Sequence, residues 1–173
     1  MKVYVISGGP STGKTSVIEE LKNQGFTTFK EIARKVTETD GNFVGKSINE
    51  INKQEFQDKI LEVQMKQVEK LKKVKGKIFL DRSIGDTLAY YKLNNLKIPK
   101  SIYNCFSEFK SQKIFILEPL NFYEQDDLRQ ENEEGCKRIH ETIIKTYKDL
   151  DCHILIVPFM SVKKRVEFIL ENL

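Results

Sequence analysis

Lys2-Val3-Tyr4-Val5-Ile6-Ser7-Gly8-Gly9-Pro10-Ser11-Thr12-Gly13-Lys14-Thr15-Ser16 runs a short apolar stretch straight into the spacing G-x-x-x-x-G-K-T. The apolar stretch reads as a strand buried on both faces, as strands of a parallel sheet are. Residues 14–23 follow, with Val17, Ile18 and Leu21 at helical spacing, and read as an amphipathic helix closed by Gly25. A glycine-rich turn between such a strand and such a helix is a phosphate cradle. Its glycines let successive backbone N–H groups turn inward, and the helix contributes the positive end of its dipole. Lys14 then reaches the β- and γ-phosphates, and the Thr15 hydroxyl is placed to ligate Mg²⁺. The expected contacts of bound ATP or GTP are Gly8, Gly9, Pro10, Ser11, Thr12, Gly13, Lys14, Thr15 and Ser16.

Beyond this segment, short apolar runs alternate with longer amphipathic ones, the pattern of βαβ units around a parallel sheet. Strands are expected at 26–29, 77–81, 113–117 and 152–157. Helices are expected at 48–74, 86–93, up to 109, at 134–150 and at 161–170. Ser47 and Glu50 have the spacing of a capping box for the long helix. Residues 37–46, polar and carrying Gly41 and Gly45, read as a mobile loop. Residues 119–134, very polar, read as a lid that folds over a ligand. The 173 residues fit one α/β domain, 1–173, with three layers and a lid.

Composition narrows the alternatives. Hydrophobic residues are 39% and charged residues 31% of the chain, ordinary for a globular protein, and no stretch is apolar for long enough to cross a bilayer. The N-terminal apolar run is too short for a signal peptide and leads into the phosphate loop, so a cytoplasmic location is expected. Cys105, Cys136 and Cys152 are scattered, and His140 and His153 have no partner at zinc-ligand spacing, which argues against a disulfide framework or a zinc site. The net charge of +4 suits a polyphosphate ligand without requiring nucleic acid or a membrane. The guanine-reading string Asn-Lys-x-Asp is absent; its nearest match, Asn52-Lys53-Gln54-Glu55, lacks the aspartate and falls inside the expected long helix.

Three further groups bear on chemistry. Asp81 and Arg82 follow the expected third strand, where an acidic side chain beside the phosphate loop would hold Mg²⁺ or its water shell and an arginine would reach phosphates or an acceptor. Glu31 follows the second strand and points toward the crevice at the carboxyl ends of the sheet. A carboxylate there can take the proton of an acceptor hydroxyl. Arg129, in the expected lid, with Lys137 and Arg138 beyond it, would neutralise charge on a transferring phosphoryl group. Asp86 and Tyr90, one turn apart, are placed to line the acceptor side. The base is expected against residues 158–162.

Gly8 to Thr15, Glu31-Ile32-Ala33-Arg34, Leu80-Asp81-Arg82-Ser83-Ile84-Gly85-Asp86-Thr87-Leu88-Ala89-Tyr90-Tyr91, Tyr123-Glu124-Gln125-Asp126-Asp127-Leu128-Arg129 and Arg138-Ile139-His140 together resemble the P-loop predicted-ATPase family. That family carries the label AAA domain and is grouped with the kinase domain of NadR-type nicotinamide-riboside kinases. The layout is also distantly similar to nucleoside kinases. The resemblance implies a P-loop NTPase fold, an α/β/α sandwich with a five-stranded parallel sheet in the order 2-3-1-4-5, and binding of a nucleoside triphosphate. Nucleoside kinases carry several closely spaced lid arginines, whereas here Arg129 is followed by Gln130.

The leading expectation is a small-molecule kinase using ATP or GTP with Mg²⁺ and a hydroxyl acceptor, with Lys14, Glu31, Asp81, Arg82 and Arg129 as its catalytic residues and Thr15 and Asp81 at the metal. The competing expectations are a nucleotide-dependent binding switch, in which the 37–46 loop and the lid change shape, and a plain NTP hydrolase.

Overall fold

A computed structural model describes residues 2–47, 49–109, 111–120 and 133–173. The expected lid largely falls between the last two of these stretches, so Arg129 lies outside the described residues.

The strands are β1 (Lys2–Ser7), β2 (Thr27–Phe29), β3 (Lys77–Asp81), β4 (Ser111–Leu117) and β5 (Ile154–Val157). All neighbouring pairs are parallel, in the order β2-β3-β1-β4-β5. The alternation of side chains along each strand explains the three layers. Val3 and Val5, with Ile78, Leu80, Ile114 and Ile116, pack on one face under α3 (Lys53–Leu71), α4 (Ile84–Leu93), α5 (Ser101–Glu108) and α6 (Glu133–Asp149). Tyr4 and Ile6, with Phe79, Phe115 and Leu117, pack on the other under α1 (Lys14–Asn23) and α7 (Val162–Glu171). Because both faces are covered, the strands read in sequence as continuous apolar runs.

Two local expectations are corrected. Residues 37–46 do not form an open loop. Helix α2 (Ile32–Thr39) runs through the first of them, and the turns that follow tuck Phe43 into a small core with Ile32, Val36, Ile51, Phe56 and Ile60. Phe43 is 4% exposed and meets the Phe56 ring edge-on at 5.3 Å. One aromatic outweighs nine mostly polar neighbours because its ring buries a large apolar area.

The second correction concerns the start of the long helix. It begins at Lys53, where the Asn52 side chain accepts hydrogen bonds from the backbone N–H groups of Gln54 and Glu55 at 3.0 and 3.2 Å. Glu50 does accept from Ser47, but this bond closes a separate turn upstream. The Asn52-Lys53 string therefore opens a helix instead of lying inside one.

This capping assignment is testable. Asn52→Ala removes the partner of two orphan helix donors and is expected to cost about 1 kcal/mol, lowering Tm by roughly 2–4 °C for a chain of this size. Ser47→Ala is expected to leave Tm within about 1 °C, being an exposed substitution away from any cap. Thermal unfolding of the two variants compares them directly.

Candidate active site

The order of the sheet brings the carboxyl ends of β1, β2 and β3 side by side, and the phosphate loop rises from β1 between them. Gly8 takes φ 135°, and a Cβ there would lie 2.8 Å from the carbonyl oxygen of Leu117, so only glycine lets the loop leave β1 this close to β4. Gly13, at φ 80°, begins α1 with no side-chain cap, which leaves the first-turn amides for an anion. Lys14 is buried and folded back over the loop, its Nζ donating to Gly9 O at 2.6 Å and Thr12 Oγ1 at 3.2 Å. Burial, and then the Arg82 charge, lower its pKa to about 7 against the pull of Asp81, Glu31 and Asp86. Thr15 and Ser16 are exposed and, with residues 10–14, line a cleft of about 820 Å³.

Asp81 ends β3 beneath the loop. Its Oδ1 is buried and has no hydrogen-bond partner among the described residues, and burial followed by the Glu31 charge raises its pKa to about 6. A buried carboxylate oxygen with no partner among the described residues, and a threonine hydroxyl exposed on the cleft, are donors of the kind that suit a hard cation held largely by water and phosphate oxygens. Among the described residues no cluster of three or more His, Cys, Asp or Glu could form a full protein cage for a metal. Asp81 and Thr15 thus fit Mg²⁺ of the kind that arrives with a nucleotide.

Arg82 is the next residue. Its backbone sits in the left-handed region at φ 67°, pinned by its N–H to Ile6 O at 3.0 Å. This turn throws the side chain over the crevice, where Nε donates to Glu31 Oε1 at 2.8 Å and Nη1 to Asp86 Oδ1 at 3.1 Å. The guanidinium carbon lies 5.6 Å from the centre of the Tyr90 ring. Burial works to raise the Glu31 pKa, but the Arg82 charge, then Lys14 and Arg34, hold it below the usual range. Glu31 is therefore a carboxylate at neutral pH. Asp86 lies on the cleft wall as expected, yet its carboxylate is already occupied by Ser7, Ser83, Tyr147 and Arg82. It supports the site from behind and is not free for a ligand. Arg138 is exposed on α6 and lines the cleft.

Sequence reasoning missed four contributors. His140 Nδ1 accepts the Gly9 N–H at 3.1 Å, and burial together with the nearby Lys14 lowers its pKa, keeping the imidazole neutral for that role. Its sequence signal was weak: it merely adjoins Ile139 in the apolar stripe of α6. Arg165, 1% exposed, donates to the carbonyls of Thr12, Glu118 and Pro158 at 2.6, 3.0 and 3.1 Å and lies under Phe159, in the segment expected to meet the base. A charged residue beside Val166 gives no hint of burial. Gln57 and Gln64 lie on the inner face of α3, seven residues apart, where an apolar stripe would normally run. That interruption was the readable signal. Gln64 is bonded by Thr87 at 2.8 Å, whereas Gln57 is 7% exposed, lines the cleft and has no side-chain partner among the described residues.

Sheet order, loop and crevice define a P-loop NTPase fold. A family model described as an AAA domain matches residues 3–165, and the chain belongs to that family. No curated protein matches in sequence. Among solved structures, the deoxyadenosine kinase from M. mycoides superposes with a TM-score of 0.66 at 19% identity, covering 98% of this chain and 97% of that one. A NadR protein in complex with NR superposes with a TM-score of 0.75 at 20% identity, covering 98% of this chain and 50% of that one, so this chain spans half of NadR. Thymidylate kinase from Ehrlichia chaffeensis gives 0.67 at 12% identity, covering 99% and 97%. At these identities the likeness establishes the fold alone. Among the described residues, no helix is long and apolar enough to cross a membrane.

The depressed pKa of Lys14 has a sign that can be checked. A polyphosphate in the loop favours the charged ammonium, so binding at pH above 7 must take up a proton. Affinity for a nucleoside triphosphate is expected to fall between pH 7 and 8.5, by at most about tenfold per pH unit. Calorimetry in two buffers of different ionisation enthalpy at pH 8 is expected to show net proton uptake, absent in Lys14→Ala.

Proposed function

We propose that the chain, acting as one domain over residues 1–173, is a kinase that moves the γ-phosphoryl group of ATP or GTP to a hydroxyl of a nucleoside-like or nicotinamide-riboside-like acceptor. The observation that carries this reading is the Glu31–Arg82 pair. It stands at the carboxyl edge of the sheet, on the wall of the same cleft that the phosphate loop enters. A plain hydrolase has no need of a cleft that continues past the phosphate loop to Phe56, Gln57 and Tyr90. The fold shared with kinases of nucleosides and nucleotides supports the same reading.

In this mechanism the loop amides and Lys14 hold the β- and γ-phosphates. Thr15 and Asp81 would hold Mg²⁺, which when bound neutralises charge on the phosphate oxygens. The acceptor lies along α2 and α3 with its hydroxyl at Glu31. Glu31 Oε1 is held by Arg82, and no described residue hydrogen-bonds to its other oxygen. That free oxygen takes the hydroxyl proton as the acceptor oxygen bonds to phosphorus and the bridging oxygen leaves with the nucleoside diphosphate. Arg82 orients the base and stabilises the charge gathering beside it. Gln57, on the cleft wall with no hydrogen-bond partner among the described residues, donates or accepts at the polar edge of the acceptor. Arg129, outside the described residues, is the candidate to neutralise charge on the transferring group.

A nucleotide-dependent switch is less well supported, because Phe43 anchors the segment that would have to move. The test is transfer of labelled γ-phosphate from ATP, and separately GTP, to pooled nucleosides, nicotinamide riboside, nucleoside monophosphates and sugars, with Lys14→Ala as blank. Glu31→Gln is expected to cut transfer by about 10²-fold or more, the usual worth of a general base, while nucleotide affinity stays within about twofold. Tight nucleotide binding with no product from any pool would overturn the kinase reading in favour of a switch.

A further inference from the structure

Asp86 joins parts of the molecule that the sheet alone leaves separate. Its Oδ1 accepts from Ser7 Oγ at 2.5 Å and from Arg82 Nη1 at 3.1 Å. Ser7 ends β1, one residue before the phosphate loop, so this oxygen links the root of the loop to the arginine that holds Glu31. Its Oδ2 accepts the Ser83 N–H at 2.9 Å and the Tyr147 O–H at 2.5 Å. Tyr147 comes from α6, 61 residues further along the chain.

The Tyr147 hydroxyl has a defined direction. Burial and the Asp86 charge push its pKa well above the ordinary phenol value, so the proton stays on the oxygen and points at Asp86. The same oxygen lies 2.7 Å from Ser83 Oγ. Having given its proton to Asp86, it accepts the serine's, and Ser83 Oγ accepts the Gly85 N–H at 3.4 Å. The hydrogen-bond chain therefore runs from Gly85 through Ser83 and Tyr147 to Asp86, which accepts at its end, each bond polarising the next. The ring is held as firmly as the hydroxyl: a Cβ on Gly85 would lie 2.3 Å from Tyr147 Cε1, so the glycine leaves a slot that the ring fills.

We propose that Tyr147 is a positioning residue, whose hydroxyl fixes the Asp86 carboxylate and through it the angle at which Arg82 presents its Nε to Glu31. Three of the four donors to Asp86 cannot take up slack: the Ser83 N–H is backbone, Ser7 is a short side chain on a strand, and Tyr147 is wedged against Gly85. Arg82 alone has a long side chain. When the tyrosine hydroxyl is removed, the buried carboxylate draws Arg82 toward itself, and the bond to Glu31 is the one that loosens. The functional importance of this geometry rests on the kinase reading of Glu31; the geometry itself does not.

The test is made on the whole chain without any substrate. The Arg82 Nε–H, tied to Glu31 in the folded protein, gives a slowly exchanging signal in a proton–nitrogen correlation spectrum, assigned by its loss in Arg82→Lys. In Tyr147→Phe, which keeps the ring, its exchange with water is expected to speed up about tenfold or more as the bond opens. A folded Tyr147→Phe protein with unchanged Arg82 exchange overturns the proposal, even if Tm falls, because a merely structural tyrosine would lower Tm and leave that signal alone. Should this variant fail to fold, Asp86→Asn carries a test of opposite sign: without the carboxylate's pull Arg82 closes on Glu31 and its Nε–H exchange is expected to slow, and faster exchange there overturns the proposal. No transfer activity is needed, so failure to find an acceptor and failure of this proposal are separate results.

Discussion

Charge balance in a buried crevice is the constraint from which the rest of the site follows. Lys14 is buried, and Arg82 half-buried, beside three carboxylates, the buried Asp81 and Asp86 and the half-buried Glu31. Charges out of water persist only when paired and hydrogen-bonded. Arg82 meets this need by bonding to Glu31 and Asp86 together, which makes one guanidinium the counter-ion of two acids. Asp81 is left over, raised toward neutrality and with one oxygen orphaned. Lys14, folded onto its own loop, is likewise only partly charged. On the kinase reading proposed above, a triphosphate and its metal would complete the balance.

Much of the fold was legible because its physics is local. The loop spacing, the doubly apolar β1 and the alternation of strands and helices all depend on residues near in sequence, and they gave the sheet order through resemblance to known P-loop chains. The positions of Glu31, Asp81 and Arg82 were legible for a related reason: Asp81 ends a strand and the other two lie within two residues of a strand's end, so finding the strands located the residues. What stayed hidden depends on distance. His140 reaches Gly9 across 131 residues and Arg165 reaches Thr12 across 153, and no periodicity in α6 or α7 announces either. Phe43 was hidden by its polar neighbours. The cap expected at Ser47 is found five residues on at Asn52, between the buried Ile51 and the helix that carries Phe56 inward.

The same comparison separates the two sides of the cleft. The phosphate side is made by backbone and a fixed spacing, which a motif can encode. The far side, where the proposed acceptor would lie, is a wall of side chains from α2, α3 and α4, where Gln57 differs from an ordinary surface glutamine only by its burial. Asp86 looked in sequence like a residue facing a ligand, and in the structure it stands one layer behind, with every lone pair direction answered by protein donors.

The supports of the phosphate loop also bear on how the chain acquires its site. Residues 8–15 are joined to their partners by contacts that close almost the whole chain into loops, and such closures are slow and entropically costly. On a ribosome the loop's own residues emerge long before Arg165 does. The loop therefore has its sequence early and its shape late. A chain halted before α7 would display G-x-x-x-x-G-K-T without the guanidinium that gathers the carbonyls of Thr12, Glu118 and Pro158. The support of the loop at the Thr12 carbonyl is thus complete only once α7 has folded against it.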